Sequence, residues 1–409
     1  MKILSLFDGM ACGMLAMIKA DVHIEKYVAY ETDKFAIQTS SFNFPRIEHK
    51  GDVFKGDFTE YKGFDFLIGG SPCTYWSIAQ SSEKRETTAS GMGWELFKQY
   101  IRALKEAEPK FFIYENNKSM SKEIRASITE AFGFEPVYIN SALVSAQNRQ
   151  RLYWVGKRNV DGTYSKVDVK QPEDKGILLK DILESGNDLT ANSKSWVLTA
   201  SYDGAIAQNT IERNQRNMVA EPVNITVNGK SYCLRASYAK DTVRNFIRTD
   251  VDLKTGVAEP VRCFALPRED GVQTQSKGYR VYNANGKSTT LCAEGGGMGA
   301  KTGLYAIPVE FDGNIPVKAV SGADGKTYTV YEVKDGQITI KGKQYPIKLA
   351  DGFYIIRKLT VRECMRLQTV PEWYEFPVSD TQAYKMLGNG WTVDVITHLI
   401  NSIKEEAKK

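Results

Sequence analysis

Over its first third the chain alternates short apolar runs with segments of helical periodicity, and that alternation predicts a parallel, doubly wound α/β sheet. Candidate strands are Ile3 to Phe7, Tyr27 to Tyr30, Glu48 to Val53, Phe66 to Ile68, Phe111 to Tyr114, Pro136 to Ile139 and Leu152 to Val155. Helices fit between them. The clearest runs from Trp94 to Ala107, where Leu96, Phe97, Tyr100, Ile101 and Leu104 form one apolar face and Pro109 marks the stop. Another spans about Lys122 to Phe132, with Ser121 as N-cap, Ile124, Ile128 and Phe132 on one face, and Gly133 past its end. At 409 residues and 42% hydrophobic content the chain can bury a full core and is long enough for two domains.

Polar residues recur at the carboxyl ends of these strands. Asp8 and Gly9 follow the first, Glu31 the second, Asp52 ends the third, Cys73 follows the fourth, and Glu115 with Asn116 follows the fifth. In a doubly wound sheet such ends open onto one crevice. The stretch DFLIGGSPCTYWS, Asp65 to Ser77, is central: Gly69 and Gly70 end a buried strand abruptly and present Pro72 and Cys73 on a loop. A thiol there is available for nucleophilic catalysis as its thiolate. Glu31 is placed to hold a ribose diol, and FDGMACG, Phe7 to Gly13, is a Gly-bounded turn that lets a ligand approach the backbone, although it is not the phosphate-cradling G-x-G-x-x-G pattern. Taken singly, each residue has a plainer reading: a buried Cys near a turn, a solvated strand end, a structural loop. Their joint arrangement shifts the balance.

The formal charge of +5 is a mild basic excess that permits a nucleic-acid partner. Six Cys without C-x-x-C spacing and three His argue against a zinc site and a disulfide framework, which points to a reducing cytosol. The N-terminal apolar run is too short for a signal peptide, and no stretch approaches a membrane span.

Beyond Gly156 the pattern changes to short segments divided by NGK at 228 and 285, DGN at 312, ADGK at 323 and KDGQ at 334, which reads as a β-rich domain of hairpins over 157–356, inserted between two parts of a catalytic domain, 1–156 and 357–409. VLTASYDG from Val197 resembles CLRASYAK from Cys233, a duplicated hairpin unit, and TTLCAEGGG from Thr289 is a degenerate third copy. Arg213, Arg216, Arg235, Lys240, Arg244 and Arg248 are interleaved with Tyr and Asn, the residue types that grip phosphates and read base edges; the competing view is an ordinary solvated β-domain. The Gly-rich run at 294–302 fails as a phosphate loop because Ala300 precedes Lys301. Thr360 and Glu363 form a capping box, and Val393 to Ile403 gives a final amphipathic helix.

LSLFDGMACG, GGSPCTYWS, FFIYENN, SAQNRQRLYWVG, RKLTVRECMRLQTVPEWY and MLGNGWTVDVI, in that order, resemble the sequence blocks of DNA (cytosine-5) methyltransferases. The resemblance covers 1–156 and about 357–400, and its FDGMACG turn and Trp391 are closest to the animal de novo enzymes and their bacterial or phage counterparts. It implies a Rossmann-like methyltransferase sheet, S-adenosylmethionine as donor and a flipped-out cytosine in double-stranded DNA as acceptor. Cys73 would be the nucleophile, Glu115 the partner of cytosine N3, and Arg151, supported by Arg149, the ligand of the cytosine O2. Phe7, Asp8, Gly9, Glu31, Asp52, Val53 and Pro72, completed by Asn389 and Trp391, would hold the donor, with Asp57 competing for the role of Asp52. Ser71, Pro72, Asn116, Gln147, Arg235 and Arg244 would face the substrate, and the loop Thr74 to Gly93 would close over it. A monomer without metal or membrane, in a bacterial or phage-infected cytoplasm, is expected. The family's Glu-Asn-Val is Glu115, Asn116, Asn117 here, and Gly390 stands where Ser or Ala is common. An RNA cytosine-5 enzyme on the same fold, such as one acting on tRNA, and a catalytically silent DNA-binding regulator are the alternatives.

Overall fold

The computed structural model describes residues 1–77, 83, 85–184, 260–267, 273, 279–291, 303–309, 319–321 and 326–408. The repeat at Val197 and Cys233, the six basic residues from Arg213 to Arg248 (Arg235 and Arg244 included) and the Gly-rich run at 294–302 lie outside them. The chain divides into two units: Met1–Leu178 with Lys287–Gly296 and Cys364–Lys409, and Leu179–Gly286 with Gly297–Glu363.

The first unit is built on β1 (Lys2–Leu6), β2 (Lys26–Tyr30), β3 (Glu48–His49), β4 (Phe66–Gly69), β5 (Phe111–Asn117), β6 (Val137–Asn140), β7 (Gln150–Arg158) and β8 (Tyr164–Lys166). Their order is β3-β2-β1-β4-β5-β7-β6, with β8 on β7. From β3 to β5 all pairs are parallel, and β7 runs antiparallel to β5 and β6. The order reverses between β1 and β4, and this switch point is where a doubly wound sheet opens a crevice at its carboxyl edge.

Strand alternation sends Leu4, Leu6, Val28, Tyr30, Leu67, Phe112 and Tyr114 to one face, where they pack with α3 (Gly91–Ala107) through Phe97, Tyr100 and Leu104 and with α4 (Lys122–Phe132) through Ile124, Ile128 and Phe132. The other face takes α1 (Cys12–Lys19): a Cβ at Gly13 would lie 2.3 Å from Ile68 Cδ1, so any larger residue there would have to displace the end of that side chain. α2 (Lys34–Asn43) follows β2. From the far end of the chain come α5 (Val361–Leu367), α6 (Asp380–Asn389) and α7 (Val393–Glu406), and α7 reaches α1 through Thr397 Oγ1, which donates to the Ala16 carbonyl.

α4 matches its expected ends because both are set locally: Ser121 Oγ accepts from Ile124 N, and Gly133 takes the left-handed conformation at φ 80°. Two expectations need correcting. β3 spans only Glu48–His49, so Asp52 lies beyond the strand and caps a 3-10 turn by accepting from Phe54 N. Glu115 and Asn116 lie inside β5, because β7 pairs with β5 as far as Asn117.

In the second unit β9 (Arg262–Ala265), β10 (Arg280–Asn283), β11 (Leu304–Val309), β12 (Ala319–Ser321), β13 (Thr327–Lys334), β14 (Gln337–Ile340), β15 (Lys343–Pro346) and β16 (Gly352–Arg357) form one sheet, ordered β15-β14-β13-β16-β11-β10-β9 with β12 on β13. The KDGQ turn joins β13 to β14 with Asp335 and Gly336 both at positive φ, the geometry a two-residue hairpin needs. The capping box forms as read: Glu363 N donates to Thr360 Oγ1 at 3.1 Å and Thr360 N donates to Glu363 Oε2 at 2.8 Å. Glu363, fully buried, also holds both terminal nitrogens of Arg357, at 2.7 and 2.6 Å. Removing one partner of such a pair strands a buried charge. Glu363→Ala should therefore cost about 3–5 kcal/mol and Thr360→Ala about 1 kcal/mol, measured by urea unfolding.

Candidate active site

Parallel pairing of β4 with β5 puts Gly69 opposite Tyr114, so the SPC loop leaves the sheet beside Glu115. The contact is close: a Cβ on Gly70 would lie 2.7 Å from the Glu115 carbonyl and 3.0 Å from its Oε2. Here glycine is required by space. Asn116 then ties the two ends together, donating from Nδ2 to the Ser71 carbonyl at 3.2 Å, while Ser71 Oγ and Tyr114 Oη are bonded at 2.7 Å. Pro72 is exposed, and the backbone of Cys73 opens a 3-10 turn, Cys73–Tyr75. Beyond it Trp76 Nε1 donates to Glu86 Oε2, which delimits the loop once expected to close; residues 78–82 and 84 of that loop lie outside the described residues.

Glu115 is nearly buried and both carboxylate oxygens have donors. Arg151 Nε lies 2.9 Å from Oε1, and Trp391 Nε1 donates to Oε2 at 3.0 Å. Arg151 belongs to β7, beside β5, so the antiparallel register supplies this pair directly. Arg149, expected beside Arg151 at the base, is buried elsewhere: its guanidinium donates to the carbonyls of Gly388, Gly390 and Leu291 at 3.1, 2.8 and 3.3 Å. It braces the turn that carries Trp391. Gln368 assists, donating from Nε2 to the carbonyls of Leu387 and Gly390. At Gly390 a Cβ would sit 3.1 Å from both Cys12 Sγ and the Met386 carbonyl, a tight fit that a larger residue would enter only with a shift of its neighbours. Asn389 ends α6 and is exposed. Gln147, expected to face substrate, is fully buried with neither end of its amide bonded to a described residue.

At the β1 and β2 ends, Glu31 accepts from Gly9 N at 2.8 Å with one oxygen and from Thr32 N and Asp33 N with the other. Phe7, Gly9 and Ala11 all take positive φ in the turn, and the space where a Gly9 Cβ would stand is open to 4 Å. Asp8 Oδ1 accepts from Ser5 Oγ and Tyr27 Oη at 2.5 and 2.6 Å, while its Oδ2 is buried without a partner. Burial pushes the Asp8 carboxyl up to about 6, against the pull of these two hydroxyls. Val53, expected to hold the donor, packs its side chain into the core with Leu4 and Tyr30, and its carbonyl accepts from Arg102. Asp57 is exposed and caps its own turn through Thr59 N. Burial pushes the thiols of Cys12 and Cys263 up to about 12, which keeps them protonated and unreactive.

Sequence reading had no route to Ser5, Tyr27 or Gln368 as supports, although Ser5 and Gln368 lie within quoted blocks and Tyr27 opens a candidate strand. Among the described residues no cluster of three or more His, Cys, Asp or Glu could hold a metal ion, and no helix is long and apolar enough to cross a membrane. Asp8 generates a pH dependence. Its folded-state carboxyl titrates near 6 against an ordinary 3.8, so the folded chain binds more protons between those values and loses stability as pH rises through them. Asp8→Asn cannot ionise and keeps an acceptor for Ser5 and Tyr27. Its melting temperature should rise relative to that of the unsubstituted protein between about pH 4 and pH 7, followed by scanning calorimetry.

The chain is similar to phage and type II methyltransferases. The orphan methyltransferase M.Rho11sI of Bacillus phage rho11s is 28% identical over 361 residues, 82% of this chain and 68% of that protein. M.SPRI of Bacillus phage SPR is 25% identical over 98% of this chain and 97% of its own, and the type II methyltransferase M.HhaI of Haemophilus parahaemolyticus 22% identical over 98% and 94%. In fold the chain is similar to the S. pombe Dnmt2 methyltransferase, with a TM-score of 0.51 at 13% identity over 100% of this chain and 99% of that one. It is likewise similar to the Entamoeba histolytica methyltransferase EhMeth, at 0.53 and 11% over the same shares. The family model described as C-5 cytosine-specific DNA methylase matches residues 1–405, and the chain belongs to that family of DNA methyltransferases.

Proposed function

We propose that this enzyme transfers a methyl group from S-adenosylmethionine to C5 of a cytosine flipped out of duplex DNA, through a covalent bond between Cys73 and C6. The observation that carries the reading is the buried Glu115 carboxylate, held by Arg151 and Trp391 at the strand end next to the loop that bears Cys73.

Cytosine C5 is a weak nucleophile, and the chemistry requires that electron density be built there. The Cys73 thiolate adds to C6; Glu115 holds the proton at N3 and Arg151 the O2 as negative charge develops in the ring. The C5 electron pair takes the methyl group, for which the sulfonium donor supplies an electrophilic carbon and a neutral thioether leaving group. Loss of the C5 proton to a base or water then expels the Cys73 sulfur and restores the C5–C6 double bond. Each Glu115 oxygen accepts one donor and keeps a further lone pair, so the acid can meet the ring nitrogen while Arg151 and Trp391 stay in place. A cytosine inside a duplex is out of reach of such a buried acid, which is why extrusion of the base belongs to the reading.

The donor fits the strand ends. Glu31, anchored by three backbone N–H groups, retains a lone pair on Oε2 for a ribose hydroxyl, and Gly9 leaves the backbone open to close approach. The unpartnered Oδ2 of Asp8 is an acceptor suited to the cationic methionine end of the donor. Asp52, beyond β3, is the candidate for the adenine.

Transfer of label from methyl-labelled donor to duplex DNA and to tRNA, offered separately, tests the substrate class: label in DNA supports the reading, and label in tRNA alone sinks it. Cys73→Ala should abolish transfer while donor affinity changes less than about threefold. Duplex DNA with 5-fluorocytosine at the target should trap a denaturation-resistant adduct, since fluorine cannot leave as the C5 proton does. An active enzyme that forms no adduct would rule out addition at C6.

A further inference from the structure

We propose that Trp391 is a positioning residue for the acid of the reaction, acting through Glu115. The inference rests on the function proposed above and assigns one more residue to it. Trp391 Nε1–H donates to Glu115 Oε2 at 3.0 Å while Arg151 Nε occupies Oε1 at 2.9 Å. One donor would leave the carboxylate free to turn about its last torsion, which is broad for Glu. A donor on each oxygen fixes the plane and therefore the direction in which the acid meets a ring nitrogen.

The indole is in turn held by the backbone that carries it. Arg149 donates to the carbonyls of Gly388 and Gly390, and Gln368 to those of Leu387 and Gly390, so two buried side chains secure the residues immediately before Trp391. On the far side of the indole, Thr392 Oγ1 donates to Gln368 Oε1 and accepts from Ser141 Oγ, both at 2.9 Å. Ser141 lies in the 3-10 turn that follows β6, in the sheet that supplies Arg151. The backbone before Trp391 and the Thr392 side chain after it are thus bonded to the part of the molecule that holds the acid's other partner. A tryptophan needed for its bulk alone would not require its N–H to be aimed at a buried carboxylate. Truncation to a ring without that donor should leave bulk in place and remove orientation.

Two variants separate the roles. Trp391→Phe keeps an aromatic ring and removes the N–H; Trp391→His keeps a ring N–H. With labelled donor and duplex DNA, Trp391→Phe should lower kcat about tenfold or more, as for loss of a hydrogen bond to a charged group, with donor dissociation constant and KM for DNA little changed. Trp391→His should recover part of the loss. Weakened donor binding with kcat intact, or equal impairment of both variants, overturns the proposal. An arm independent of turnover uses the indole N–H resonances of the six tryptophans in a nitrogen-15 spectrum of the unliganded protein. The resonance missing from Trp391→Phe should move upfield in Glu115→Gln, where the acceptor has lost its charge. If it does not move, the proposal fails even for an active enzyme. If it moves in a protein that methylates no nucleic acid, the hydrogen bond stands and the functional reading falls.

Discussion

A carboxylate kept in a buried site near the carboxyl edge of a sheet is stabilised by a donor on each oxygen, because an unpartnered buried charge costs more than most single contacts return. Glu115 meets that demand from two directions: Arg151 arrives on the neighbouring antiparallel strand, and Trp391 arrives from 276 residues along the chain. This one requirement connects the parallel sheet, the reversed strand β7 and the C-terminal helices. It also makes glycine obligatory at position 70, where the adjacent strand end presses against the same acid.

Burial of charge recurs as the organising device in the middle of the chain. Lys287 is almost fully buried, and its ammonium donates to the carbonyls of Ala142, Ser145 and Ile177. Ser288 continues the contact, taking a hydrogen bond from Asn148 N and giving one to the Ala146 carbonyl. The segment Lys287–Gly296 therefore belongs to the first unit although the residues on either side of it belong to the second. In the sequence TTLC, which begins at Thr289, reads only as a degenerate repeat. Its partners are single carbonyls more than a hundred residues away, and no periodicity reports them.

Features governed by near neighbours were legible. Ser121 and Gly133 bound α4, Thr360 and Glu363 close on each other, and the Asp335–Gly336 hairpin turns where its residue types allow positive φ. The family blocks likewise named Cys73, Glu115 and Arg151, and structure brings the last two into contact. Misplacements arose where two residues look alike in one dimension. Arg149 and Arg151 alternate as if on one face, yet Arg149 precedes β7 and turns its guanidinium onto the carbonyls of 388 and 390. Val53 is expected at the donor beside Asp52, and its side chain, a buried aliphatic next to β1 and β2, packs into the core.

By itself, then, the sequence determined the doubly wound pattern, the helix ends, the chemical groups available and the order of the blocks, because each depends on residues within a turn or two of one another or on block order along the chain. Only the tertiary structure decided which donors meet Glu115, that Asp8 sits with one oxygen unpaired and its carboxyl raised to about 6, and that Gly390 packs close to Cys12. Those outcomes follow from desolvation and close packing between segments that meet only in the fold, and neither quantity exists until the chain has folded.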